Sequence, residues 1–178
     1  EQNLAGMSPA AIGKLGINGY ANALAKGMAD IAGGALVVGF ARGILIVMND
    51  ANILHTILHG AAGLLQGLPG MVSAVGMYIF QCLLNFIVPS GSGQAAVSMP
   101  IMAPLSDLIG VSRQTAILAF QMGDGLSNMI WPTSASMMAY VFAANEKFES
   151  YLKFVLPIFL IVSVLGAIML VIGTAIGY

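Results

Sequence analysis

Charge is what this chain has least of. Asp, Glu, Lys and Arg make up 7% of its 178 residues, against roughly 25% in an ordinary soluble domain. Hydrophobic residues make up 58%, and the mean hydropathy is +0.92. A chain so composed cannot clothe a water-facing surface, so it reads as an integral membrane protein. A basic surplus is also missing: six Lys and Arg stand against seven Asp and Glu, for a net charge of -1. That removes nucleic acid as a partner. The one cysteine, Cys82, cannot form an internal disulfide and sits on an apolar segment, as a small buried hydrophobe does. No GxxxxGK[ST] phosphate loop occurs, so ATP hydrolysis has no support. His55 and His59 share a helical face at i and i+4, but no HExxH pattern surrounds them. They read as imidazoles shown to lipid headgroups, and no metal site, cofactor or catalytic residue is expected.

The absence of charge is most extreme from Ala51 to Ser106, where no Asp, Glu, Lys or Arg occurs. Inside that stretch lies NFIVPSGSGQ, Asn85 to Gln94, a polar cluster between two apolar arms. A second cluster, GDGLSNMIWPTSAS, runs from Gly123 to Ser136 and holds a lone carboxylate, Asp124. Water-exposed loops normally carry charge. Glycine-rich interruptions of apolar segments are instead the sequence mark of a transporter's binding site, because non-helical backbone at membrane depth is tolerated only beside protein or a water-filled cavity.

The expected architecture is all-α and membrane-embedded. Residues 1–26 read as a loop and an interfacial helix, 27–48 as a first spanning helix ended by Asn49 and Asp50, and 51–68 as an interfacial helix closed by Leu68-Pro69-Gly70. Residues 71–109 read as a re-entrant hairpin with its tip at 89–94 and a second arm interrupted by Pro100 and Pro104. Two full passes joined by a short loop are the alternative. Residues 113–144 read as a transmembrane helix broken at 123–133, and 151–177 as the last span, with Pro157 in its tolerant first turns. With Lys14, Lys26, Lys147 and Lys153 on one side and Arg113 on the other, the positive-inside rule puts the hairpin's open end and the C-terminus outside the cytoplasm. The chain starts without methionine and has room for about four or five passes of about 20 residues. It is therefore read as part of a longer carrier.

A helix that starts inside the membrane presents unpaired N–H groups and about half a positive charge, a natural seat for a carboxylate. Ser90, Gly91, Ser92 and Gly93 supply such a seat, with amides from Asn85 and Gln94 beside it and Thr133 and Ser134 across the second break. The plainer reading is a turn that caps two helices. Asp124 in a span costs a few kcal/mol unless paired, hydrated or neutralised. With Ser127 and Asn128 it is a candidate for coupling to Na⁺ or H⁺, the plainer alternative being a helix cap. Arg42 reads as an interfacial anchor, with pairing to a substrate carboxylate or to Asp124 as the other option.

Three stretches carry a family likeness: FARGILIVM with TILHGAAGLLQGLPG, then LLNFIVPSGSGQAAVSMPIMAPLSDLIGVSRQTAILAFQMGDGLSNMIWPTS, then YLKFVLPIFL. In these the chain resembles the C-terminal half of the anaerobic C4-dicarboxylate carrier family, in its YfcC-like branch, within the ion transporter superfamily. The resemblance implies two inverted repeats, each with a re-entrant hairpin and a discontinuous helix, and it implies that this chain supplies one repeat. Trp131 beside the break departs from the aliphatic residue the likeness leads one to expect, and restricts the cavity. The function so implied is secondary active transport of a small organic anion, first of all a C4-dicarboxylate, by Na⁺ or H⁺ coupling or by exchange. Basic amino acid antiport on the same fold is the alternative, ahead of an ion-conducting pore or an intramembrane enzyme. The expected partners are a small carboxylate or amino acid, the lipid bilayer, an N-terminal repeat and a second copy in a homodimer, all in a bacterial inner membrane.

Overall fold

A computed structural model describes residues 16–178; the side chain of Arg42 lies outside the described part, as do Lys14 and the rest of residues 1–15. Every regular element among the described residues is an α-helix: α1 (Ile17–Asp50), α2 (Ile53–Gln66), α3 (Gly70–Ile87), α4 (Gly91–Leu108), α5 (Arg113–Ser127), α6 (Ala135–Ala143) and α7 (Phe148–Ile176). Two of them, α3 and α7, are long and apolar enough to cross a membrane by length and composition, with mean hydropathies of 1.6 and 3.0. Apolar side chains on α7 stay exposed, among them Phe154, Ile161 and Val164, which is the surface lipid covers.

At the centre, α3 packs along α5 and also against α7, while α4 lies on α5 and α2; α1 packs on α6 and α2. The core gathers Leu54 and Leu58 from α2, Met77, Tyr78 and Leu84 from α3, Met102 and Leu105 from α4, Ala119 from α5 and Leu170 from α7. Helix α2 shows why: Leu54, Leu58, Ala62 and Leu65 are buried on one face, and His55 and His59 point away from it, exposed. An apolar stripe at helical spacing is buried against neighbours and the opposite face is left outside.

One end of the bundle gathers several termini. An added Cβ at Gly70, where α3 starts, meets the carbonyl of Ile109 and the side chain of Val111 after α4. The backbone carbonyl of Tyr178, past the end of α7, accepts from Ser112 and from Thr115 at the start of α5. The open end of the α3–α4 hairpin and the end of α7 therefore share a side.

Three element boundaries differ from expectation. Helix α1 begins at Ile17 and runs without a break past Lys26 and Gly27. Helix α4 passes through Pro100 and Pro104; each proline removes one backbone bond, and inside a packed bundle neighbouring groups make up for it. Most consequentially, α5 does not stop at Gly123 but continues through Asp124 and Gly125 to Ser127.

Candidate functional site

The hairpin joint is short. Helix α3 ends at Ile87 and α4 begins at Gly91, so Val88, Pro89 and Ser90 make the turn and Gly91 to Gln94 form the first turn of α4. Ser90 is the extended N-cap, and its hydroxyl accepts from the Gly93 N–H at 3.4 Å. From this joint the arms run side by side. The Gln81 amide donates to Ser98 Oγ at 3.0 Å, and Gln94 Nε2 donates to both the side-chain oxygen and the carbonyl of Gln81, at 2.7 and 2.9 Å. All three residues are buried.

The second break follows α5. Asn128 to Ser134 lie between α5 and α6, and Pro132 bars a helical path for Trp131 just before it. Gly123 has a different task from the one its sequence position implies. A Cβ built there falls 2.5 Å from Gln81 Cβ, 3.0 Å from the Tyr78 carbonyl and 3.1 Å from the Cys82 nitrogen. It is the point where α5 crosses the backbone of α3, and close approach of this kind needs a residue without a side chain. A glycine that admits a neighbouring helix need not end its own.

That crossing brings the two polar clusters together. Asn85, fully buried on α3, donates from Nδ2 to the Asp124 carbonyl at 3.0 Å and to Ser127 Oγ at 2.8 Å. Ser127 in turn donates to the Gly123 carbonyl at 2.6 Å. Asn128 donates to the Asp124 carbonyl at 2.8 Å and reaches its carboxylate at 3.4 Å. The carboxylate itself lies on the first residue of α4: an added Cβ at Gly91 meets Asp124 Oδ2 at 2.9 Å. A negative group beside the N-terminus of α4 is favourably placed against the helix dipole. Trp131 ties the second break to the first arm, its Nε1 donating to the Cys82 carbonyl at 2.7 Å and its ring tilted on Phe86 at a centroid distance of 5.1 Å.

Of the residues singled out in the sequence, Asn85, Gly91, Asp124, Ser127 and Asn128 thus meet in one cluster, and Gln94 joins it through Gln81. Ser90 and Gly93 shape the joint. Ser92 is exposed, while Thr133 is partly buried and Ser134 buried, and neither of the last two makes a side-chain hydrogen bond to the cluster. Gln81, Ser98 and Phe86 were not singled out, although Gln81 and Asn85 carry a readable signal: two amides at i and i+4 on an otherwise apolar arm.

A helical hairpin and an interrupted helix thus join their polar residues inside an apolar bundle, an arrangement that membrane carriers use around their binding sites. The model of the C4-dicarboxylate anaerobic carrier family, DcuC, matches residues 7–175, and the chain belongs to that family. It is 46% identical over 142 residues, 77% of its length, to an Escherichia coli K12 protein named "Putative basic amino acid antiporter YfcC", of which the match covers 28%. It is 33% identical over 147 residues, 83% of its length, to a Haemophilus influenzae protein named only as uncharacterized, of which the match covers 29%. The chain spans less than a third of the length of these curated relatives. No solved structure matches it.

Proposed function

We propose that this chain is one repeat of a bacterial secondary active transporter, with the α3–α4 hairpin re-entrant and α5–α6 forming the discontinuous helix. The observation that carries the reading is the meeting of both interruptions at Asn85, Asp124 and Ser127, through bonds of 2.8 to 3.0 Å. Polar groups far apart in sequence that converge on a carboxylate in an apolar bundle support a polar site there. The inverted second repeat completes the site from the facing side, and two copies form the homodimer in the inner membrane, with the shared end of the hairpin and α7 outside the cytoplasm. Substrate moves by exchange or with a coupling ion, Na⁺ or H⁺, for which Asp124, Ser127 and Asn128 are the candidates.

Two substrate classes are in play. A C4-dicarboxylate accords with the family's description, and its carboxylate would meet the N–H groups of Gly91 and Ser92 at the start of α4, the Gly93 N–H being taken by Ser90. Exchange of basic amino acids accords with the name of the Escherichia coli relative. A specific observation favours the second: among the described residues, the one ionisable side chain joined to the cluster is a carboxylate, Asp124. The test is uptake of radiolabelled succinate, aspartate, lysine and arginine into proteoliposomes holding the full-length parent, with and without imposed Na⁺ and pH gradients. Saturable uptake abolished in Asp124→Asn is the expected result. Unsaturable flux indifferent to that change would overturn the carrier reading.

A further inference from the structure

The turn between α6 and α7 builds a groove outside the polar cluster. Helix α6 ends in a Schellman motif: Asn145 takes the left-handed conformation at φ 54°, its N–H bonds to the Phe142 carbonyl at 3.0 Å, and the Glu146 N–H bonds to the Val141 carbonyl at 3.2 Å. In that motif the second residue past the cap lies back over the third residue from the helix end, a place commonly filled by an apolar side chain. Here a carboxylate fills it. Val141 and Glu146 accordingly line one cavity of about 390 Å³, together with Tyr140 from α6 and Ser150, Tyr151 and Phe154 from α7. The volume falls within the range of small-molecule sites, roughly 300–1,000 Å³. The Tyr151 hydroxyl is spent on the Met129 carbonyl at 3.1 Å, so Tyr151 gives the groove its ring. Tyr140 and Phe154 are left 75% and 72% exposed.

We infer that this groove holds the headgroup of a zwitterionic phospholipid, with its ammonium against Glu146 and the tyrosine rings and its phosphate towards Lys147. A carboxylate among aromatic rings is a receptor for an ammonium group. Lys147 precedes Ser150, Tyr151 and Phe154 by three, four and seven residues, the spacing of one helical face, which sets a cation at the aqueous end of the same wall. Glu146 and Lys147 are exposed, and among the described residues neither forms an ion pair. A lone anion would meet the carboxylate and a lone amine would leave the lysine unmatched, whereas a zwitterionic headgroup answers both charges. The rest of a lipid has its place too. Phe154, Ile158, Ile161 and Leu165 continue from the groove as an exposed apolar stripe along α7, on which acyl chains lie while Tyr and Lys stand at headgroup level, as they do at membrane interfaces. None of the groove residues bonds to Asn85, Asp124 or Ser127, so the inference stands apart from the transport site.

The test uses the full-length parent with the photoreactive residue benzoylphenylalanine in place of Phe154, which keeps an aromatic ring in the wall. The protein is reconstituted into equimolar phosphatidylethanolamine and phosphatidylglycerol with the same acyl chains, irradiated, and its adducts are identified by mass spectrometry. Phosphatidylethanolamine adducts are expected in excess by about threefold or more, as an exposed cation–π contact gives, with the excess lost in Glu146→Gln and reduced in Tyr140→Ala. The same probe in place of Leu165, farther along the stripe, should take both lipids alike. Monodispersity and melting of each variant show that the fold is retained. Equal labelling by both lipids at position 154, or an excess that survives Glu146→Gln, would reduce the groove to ordinary bilayer contact. A phosphatidylglycerol excess would overturn the role of Glu146, and adducts with a peptide of the parent would show that protein covers the groove; either result sinks the proposal.

Discussion

Alanine placed at the two glycines that flank Asp124 should act in opposite directions. Both lie inside α5, and in an isolated helix either change stabilises by roughly 0.5–1 kcal/mol, because glycine has more backbone freedom to lose. Around Gly125 nothing lies within 4 Å of the new methyl, whereas around Gly123 it falls 2.5 Å from Gln81 Cβ and 3.0 to 3.1 Å from backbone atoms of Tyr78 and Cys82. A Cβ and two backbone atoms cannot rotate aside, so α3 and α5 must separate, at an overpacking cost of about 1–3 kcal/mol. The propensity gain is common to both variants and cancels, so the gap between them is the overpacking, on the order of 1–3 kcal/mol. Thermal melting of the full-length parent in one detergent reads it as a ranking, with Gly125→Ala at or above the wild type and Gly123→Ala below both. Separation of the helices also stretches the bonds from Asn85 to Asp124 and Ser127, so Gly123→Ala should lose uptake at temperatures where it is still folded. Equal melting of the two variants, or Gly123→Ala as the more stable, would refute the close crossing and restore these glycines to the role of helix breakers.

Trp131→Phe keeps the ring against Phe86 but removes the donor to the Cys82 carbonyl, and should cost about 1 kcal/mol in melting experiments while loosening the second break. Leu58→Ala empties a fully buried position between α2 and the rest of the core and should cost about 2–5 kcal/mol, whereas Leu64→Ala on the exposed face of α2 should change melting little in detergent. At the exposed turn between α4 and α5, the Arg113 guanidinium holds the Asp107 carboxyl below the usual carboxylate range. The pair's contribution is therefore present above the unfolded value and lost as pH falls through the lower folded value. Asp107→Asn should remove that acid-limb dependence, and high salt should make variant and wild type alike.

The helical class and most of the seven elements were legible because apolar spacing and Pro-Gly punctuation act locally. Leu54, Leu58, Ala62 and Leu65 mark the inner face of α2 without help from the rest of the chain, and Ser90 announces the start of α4 as an N-cap should. What the sequence could not show is the reason for a glycine. Gly91, Gly123 and Gly125 look alike in one dimension, and all three were read as parts of interruptions. In the fold, Gly91 leaves room for a carboxylate, Gly123 leaves room for a backbone, and Gly125 meets nothing. Only the neighbours in space decide which, so the end of α5 was placed five residues too early. The Gln81–Gln94–Ser98 chain escaped notice for the same reason: its members are ordinary amides and a hydroxyl until the hairpin closes.

The close crossing and the polar cluster also bear on how such a repeat moves. Gln81 and Cys82, which meet Gly123, are within one helical turn of Asn85, which holds Asp124 and Ser127, and Trp131 returns from the second break to bond Cys82 itself. Helix α3 is therefore fastened to α5 by packing, by buried hydrogen bonds and by the segment after the helix end, all over a short length. Gln81 fastens the other arm through Gln94 and Ser98. Opening the hairpin away from the broken helix would expose at least four buried polar groups at once, each at about 1–3 kcal/mol, and would break a backbone-to-glycine contact that has no intermediate position. Packed elements of this kind switch as units rather than deform. On the carrier reading proposed above, hairpin and broken helix are expected to move together as one body. A disulfide engineered across the α3–α5 crossing should leave uptake intact, whereas uptake abolished by that bond and restored by its reduction would show that the hairpin opens by itself.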